Sequence, residues 1–132
     1  MGFIVESNDK SIVYVTDTGY LNQRVLKKIT DKNLYIFESN HDVEMLMTGP
    51  YPYILKQRVL SDKGHLSNDL AGTYLRDLIG INTKKVALAH LSEVNNRPDI
   101  AFNKTKELIG DKFDNIELVC ALQNESIDLG EI

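Results

Sequence analysis

Two short runs, Leu34-Tyr35-Ile36-Phe37 and Val86-Ala87-Leu88-Ala89, lack the polar alternation of a half-solvated strand, and nothing else in the sequence constrains the fold as much. A strand with one face in water alternates apolar and polar side chains. A continuous apolar run of strand length is the pattern of a strand covered on both faces, as in parallel sheets whose crossover helices lie on the faces. Helical periodicity stands where such crossovers require it. Leu21, Val25, Leu26 and Ile29 recur at three- and four-residue spacing and predict a short amphipathic helix ending near Asp31-Lys32-Asn33. Further helical stretches are predicted from Asp42 to about Met47 and from about Tyr53 to Leu60, separated by Gly49-Pro50-Tyr51-Pro52. Leu66, Leu70, Tyr74, Leu75, Leu78 and Ile79 form the apolar face of a longer helix, with Ser67 or Asn68 placed to cap it and Gly80 to stop it. A helix over 100–109, begun by Arg97-Pro98-Asp99, leads to a last strand over 116–121.

The beginning differs in kind. Phe3 to Glu6 and Ser11 to Val15 are β-rich runs joined by the turn residues Ser7-Asn8-Asp9-Lys10, which reads as a hairpin. The fold class predicted is therefore α/β: a mixed sheet with an initial hairpin, then largely parallel strands with flanking helices. At 132 residues and 42% hydrophobic, with no internal repeat or linker, residues 1–132 form a single domain. The tail from Gln123 to Ile132 has weak periodicity and is predicted to fray or to pack as an edge segment.

A net charge of -4 describes a soluble, mildly acidic protein without the Lys and Arg excess of a dedicated nucleic-acid-binding surface. A nuclease stays open, because a catalytic cleft can be locally basic. The single cysteine, Cys120, allows no internal disulfide; its apolar surroundings predict a buried, inert thiol and fit a reducing, cytoplasmic setting. No window approaches the roughly 18 apolar residues of a membrane span.

In parallel sheets ligands collect beyond the strand ends, and Asp17, Glu38, His41 and His90 all fall just past predicted strands. Asp17, in Thr16-Asp17-Thr18-Gly19, is either a turn residue or a carboxylate at a rigid strand end, suited to bridging two divalent cations. Asp-Thr-Gly also occurs in aspartic proteases, but those are almost all strand, and the helical periodicities here do not fit a small β-barrel. The three histidines, His41, His65 and His90, lie more than 20 residues apart. No His-x-His or four-residue pair exists, which argues against a self-contained zinc site. Even so, polar groups this dense at three loops need a ligand or a hydrogen-bond network. Gly64-His65-Leu66-Ser67-Asn68 opens a helix, where backbone N–H groups attract anions, and Ser67, Asn68 and His65 add donors. Lys56 and Arg58 either add positive charge there or form a solvated helix face.

Taken in order, Val15-Thr16-Asp17-Thr18-Gly19, Glu38-Ser39-Asn40-His41-Asp42, Gly49-Pro50-Tyr51-Pro52, Lys56-Gln57-Arg58-Val59, Gly64-His65-Leu66-Ser67-Asn68 and His90-Leu91-Ser92-Glu93-Val94-Asn95-Asn96 resemble the second half of a metallo-β-lactamase-fold hydrolase. The resemblance is above all to the YycJ/WalJ (VicX) branch of Gram-positive bacteria, regarded as metal-dependent phosphodiesterases or DNA exonucleases. It runs from Gly2 to about Ala121, and its specificity lies in the joint order and spacing of the motifs.

The resemblance implies that Asp17 corresponds to the bridging aspartate and His90 to the last metal-ligand histidine. It implies that His65, Ser67 and Asn68 line the cleft and position phosphate, and that His41 and Asp42 lie on a nearby loop, with Glu38 beside them. Family enzymes hold two divalent ions, zinc or manganese, and act on nucleic acid or a small phosphodiester. Their His-x-His-x-Asp-His motif does not occur in this sequence. The expectation is then the C-terminal half of an αββα sandwich, inactive by itself, holding metal weakly or not at all, and exposing an apolar sheet face that would favour a homodimer. The alternatives are a non-catalytic dimerising interaction module and a phosphate-ligand-binding domain.

Overall fold

The computed structural model describes residues 2–122. Strands β1 (Gly2–Ser7) and β2 (Lys10–Val15) form an antiparallel hairpin. Its turn residues Asn8 and Asp9 have φ of 52° and 65°, the paired left-handed conformation that matches the twist of the flanking strands. Strands β3 (Leu34–Glu38), β4 (Lys85–Ala89) and β5 (Glu117–Cys120) then add in parallel, giving the order β1-β2-β3-β4-β5. Each parallel step is bridged by helix: α1 (Gln23–Lys28) before β3, α2 (Val43–Thr48), α3 (Tyr53–Leu60) and α4 (Asn68–Leu78) before β4, and α5 (Pro98–Ile109) before β5. The mixed α/β sheet read from the sequence is the sheet observed.

Alternate residues of the strands, Val13 and Val15, Tyr35 and Phe37, Val86 and Leu88, and Leu118, bury one face against Leu26 of α1 and Ile29 just after it, Leu75 and Leu78 of α4, and Ala101 and Ile109 of α5. Each buried Val, Leu, Ile or Phe among these stabilises the fold by about 1.5–3 kcal/mol relative to exposure. Helices α4 and α5 meet closely at Gly72, where a Cβ would stand 2.7 Å from Leu108 Cδ1. Tyr35 is fully buried; its hydroxyl donates to Ile29 O at 2.5 Å and accepts from Lys32 N–H at 3.1 Å, and burial pushes its pKa up to about 12.

The opposite face is apolar too, because β-strand alternation turns Phe3, Val5, Ile12, Tyr14, Ile36 and Val119 that way. There Phe3 and Val5 are 50% and 51% exposed, and the Phe3 and Tyr14 rings stack 5.1 Å apart.

Some boundaries depart from the sequence reading. Leu21 and Ile29 lie outside α1, whose N-cap is Asn22, accepting from Val25 N–H, and whose C-cap is Ile29. A 3₁₀ helix over Gly110–Asn115 has no counterpart in the apolar periodicity. Cys120 is half-buried rather than buried; its Sγ lies 3.6 Å from Pro98 O, and desolvation pushes the thiol pKa up. The tail assigned to 123–132 lies outside the described residues. Among those described, no helix is long and apolar enough to cross a membrane.

Candidate metal centre

The sheet register builds the site. Val15 pairs with Phe37, Phe37 with Leu88, and Glu38 with Ala89, so the C-terminal ends of β2, β3 and β4 are level and the next residues meet at one edge. Glu38 closes β3, rather than following it, and points into that edge. Asp17 and His90 follow β2 and β4, both in the left-handed region at φ 58° and 59°, a conformation that Asp and His tolerate better than most residues. The Asp17 loop is pinned by its glycine: Gly19 N–H donates to Asp62 O at 2.9 Å, and a Cβ at Gly19 would stand 1.9 Å from Ser61 O. His65 arrives from the segment ahead of α4, held by Asn40 N–H to Leu66 O at 2.9 Å and by a parallel bridge between His41 and Ser67.

One potential ligand atom from each of Asp17, Glu38, His65 and His90 lies within 4.8 Å of the others. Glu38 is the fully buried centre of the group. Its Oε1 is 2.9 Å from His65 Nδ1 and 2.5 Å from His90 Nδ1, and its Oε2 accepts from Leu66 N–H at 3.1 Å. Asp17 Oδ1 is 3.8 Å from both Nδ1 atoms, and the two rings stand 5.5 Å apart, tilted by 47°. A carboxylate without water needs donors or a cation, and Glu38 finds donors on three sides. When Nδ1 of each ring donates to Glu38, each Nε2 keeps a lone pair, the tautomer a metal-ligating histidine requires. The Asp17, His90 and His65 side chains are 56%, 42% and 30% exposed, so the group opens to solvent on one side.

Two carboxylates and two imidazoles form a donor set suited to a divalent cation such as zinc or manganese. The sequence reading assigned only Asp17 and His90 to metal and argued from histidine spacing against a self-contained site. The structure brings Glu38 and His65 to the same place. Spacing rules detect ligands on one helix or hairpin, whereas here three of the four come from adjacent parallel strands.

The remaining candidates lie around this group rather than within it. Ser67 caps α4, its Oγ accepting from Leu70 N–H at 3.1 Å. Asn68 is buried: its Oδ1 accepts from Ser39 Oγ at 2.6 Å, and its Nδ2 donates to Asn96 Oδ1 at 2.9 Å. Asn96 Nδ2 donates in turn to Ser39 O at 2.9 Å. Asp42 caps α2, accepting from Met45 N–H at 3.0 Å. His41 is 1% exposed, with Nδ1 3.2 Å from Asn40 Oδ1; burial, then the nearby His65, lowers its pKa to about 4. Ser39, Asn40 and Asn96 have roles that the sequence alone does not assign. Asn40 Nδ2 donates to His90 O at 2.9 Å, so these residues tie the three site loops together. Their signal in the sequence was the density of Ser and Asn just past strand ends.

No family model matches the chain. It is 40% identical over 112 residues to exodeoxyribonuclease YycJ of Bacillus anthracis, an alignment covering 85% of this chain and 42% of that protein. It is 46% identical over 94 residues to exodeoxyribonuclease WalJ of Streptococcus pneumoniae, covering 71% of this chain and 35% of the relative. The matched stretch is thus well under half the length of either curated relative. Among solved structures, the metallo-β-lactamase fold protein YhfI of Bacillus subtilis superposes with a TM-score of 0.62 at 18% identity, over 91% of this chain and 40% of that one. Its likeness shows the fold, and the sequence matches narrow it: the chain is a relative of the YycJ/WalJ proteins, matched over part of their length, on part of a metallo-β-lactamase fold.

Proposed function

We propose that the chain is part of a binuclear metal-dependent hydrolase that cleaves phosphodiesters, with the ends of DNA as substrate. The observation that carries this reading is the convergence of Asp17, Glu38, His65 and His90 at one sheet edge, in a chain whose relatives are named exodeoxyribonucleases. A divalent cation held there, zinc or manganese, supplies Lewis acidity and an activated water. Asp17, half-exposed with Oδ1 toward the two imidazoles, offers its carboxylate oxygens to the cation, and His90 offers Nε2. Glu38 fixes the tautomer and tilt of both rings through their Nδ1 atoms. His65, the less exposed ring, faces the phosphate of the substrate, while Ser67 and Asn68 act through the loops they hold.

Asp17 and His90 supply only part of the ligand set of two ions, so the remaining ligands come from outside these 132 residues. The chain then forms the C-terminal half of the αββα sandwich, working in the cytoplasm of a Gram-positive cell, and by itself is inactive. The apolar face bearing Phe3, Val5 and Tyr14 receives the other sheet, or in the isolated chain a second copy. A small phosphodiester would meet the same centre. The convergence of Asp17 with His90 counts against a non-catalytic scaffold. The engagement of Ser67 and Asn68 within the fold counts against a phosphate site at the start of α4.

The decisive experiment compares exonuclease turnover, with manganese or zinc, between this chain and a longer chain carrying the other half of the fold. Turnover by the isolated chain equal to the longer one would refute its incompleteness. In the longer chain, Asp17→Ala and His90→Ala should each abolish activity and reduce bound metal; a variant retaining both would overturn the ligand assignment.

A further inference from the structure

Beside the metal-ligand group lies a cleft of about 340 Å³, with His65 and His90 on one side and Tyr51, Val59 and Val94 supplying apolar surface. Its size is at the lower end of ordinary small-ligand sites. Tyr51 is the aromatic residue of this cleft, and its placement is unusually well determined. Pro50 and Pro52 flank it; proline fixes its own φ, and Pro52 also biases Tyr51 toward extended backbone. Pro52 is in turn the cap residue of α3. On the other side, Gly49 packs so tightly that a Cβ would stand 2.6 Å from Met45 O and 3.0 Å from Asn95 Oδ1. Asp42 N–H donates to Asn95 O at 2.9 Å. The Tyr51 loop is therefore clamped to the loop that carries His90, so the ring is held relative to the histidines before any ligand arrives.

Asn95 also lines the cleft, but it is buried and its Oδ1 is turned toward Gly49, so it holds the loop and leaves Tyr51 as the ring a ligand would meet. An aromatic side chain fixed in place beside a phosphodiester-cleaving centre suits a nucleobase, whose π-face stacks on it. We propose that Tyr51 stacks on the terminal base of the strand whose phosphodiester meets the Asp17–His90 group, making this cleft the site that recognises a single-stranded nucleic-acid end. The proposal rests on the nuclease reading above.

The test uses short single-stranded DNA with 2-aminopurine as its 5′- or 3′-terminal base and a phosphorothioate terminal linkage to slow cleavage, titrated with the longer chain that carries the other half of the fold, and manganese. The wild-type chain should quench one of the two labelled ends. Tyr51→Ala should lose that quenching and bind about tenfold more weakly, and Tyr51→Phe should keep both. Quenching by Tyr51→Ala equal to wild type would overturn the stacking role and leave the nuclease reading standing. Absence of binding by the wild-type chain to either oligonucleotide would overturn the nucleic-acid reading itself.

Discussion

Asp17 and His90 leave the sheet in the same left-handed backbone conformation, φ 58° and 59°, from strands β2 and β4 with β3 between them. A non-glycine residue held there costs of the order of 1 kcal/mol or more and persists only where the surroundings fix it. The bend ends each strand abruptly and turns both side chains over the end of β3, where Glu38 waits. Asn8 and Asp9, by contrast, take the left-handed region in the hairpin turn, where twist alone explains it.

Relieving that backbone cost separates folding from ligation at Asp17. Asp17→Gly should be more stable than Asp17→Ala by about 1 kcal/mol in a chelating buffer, because glycine adopts φ 58° without a Cβ penalty. Both variants should lose metal affinity to a similar extent. Urea unfolding and metal titration of the pair check it; equal stabilities would mean that the conformation carries no strain.

Glu38 governs the cation through the imidazoles it holds. Its amide substitute, Glu38→Gln, keeps the shape but cannot accept hydrogen bonds from both Nδ1 atoms on a charged oxygen, so zinc affinity should fall 10- to 100-fold. Calorimetric titration should find about one ion per wild-type chain. Saturation at a hundred times the dissociation constant should add about 2.7 kcal/mol of stability. Wild-type affinity in Glu38→Gln would remove Glu38 from the site.

Much of this was legible because parallel sheets write themselves into sequence as unbroken apolar runs: Leu34 to Phe37 and Val86 to Ala89 are β3 and β4 almost to the residue. Helix α3 over Tyr53–Leu60 and the Ser67 cap were legible for the same local reasons, namely proline punctuation and a hydroxyl before a periodic run. Glu38 and His65 were visible as polar residues near strand or helix ends, but their convergence depends on which strands are neighbours, a property no local window carries. Asn68 shows the limit most plainly: its position predicted a cap, whereas its partners Ser39 and Asn96 lie 29 and 28 residues away and make it a clamp.

That clamp should be costly to remove. Asn68→Ala strips the acceptor from Ser39 Oγ and a donor from Asn96 Oδ1 in a site closed to water. The loss should be about 3 kcal/mol, given roughly 1–3 kcal/mol for each buried group left unpaired. Because the same residues hold the loops of His65 and His90, metal affinity should drop with it. A stability loss below about 1 kcal/mol in urea melts would show that the network contributes little.

His41 sets a pH limit on the metal-free fold. It is buried, with Nε2 lacking a partner among the described residues. Burial foremost, and then His65, lowers its pKa from 6.5 to about 4, against the opposing pull of Asp42 and Asp69. The folded value lies below the unfolded one, so between pH 6.5 and about 4 the unfolded chain binds the proton that the folded chain refuses. Stability is therefore full above pH 6.5 and lost as the pH falls, by up to 1.36 kcal/mol per pH unit and on the order of 3 kcal/mol across the window. His41→Phe removes the titrating group while keeping an aromatic ring of similar size. Urea unfolding at pH 7.5, 6 and 5 in chelator should show a slope in the wild type that the variant lacks. An identical slope in both would assign the acid sensitivity to carboxylates elsewhere.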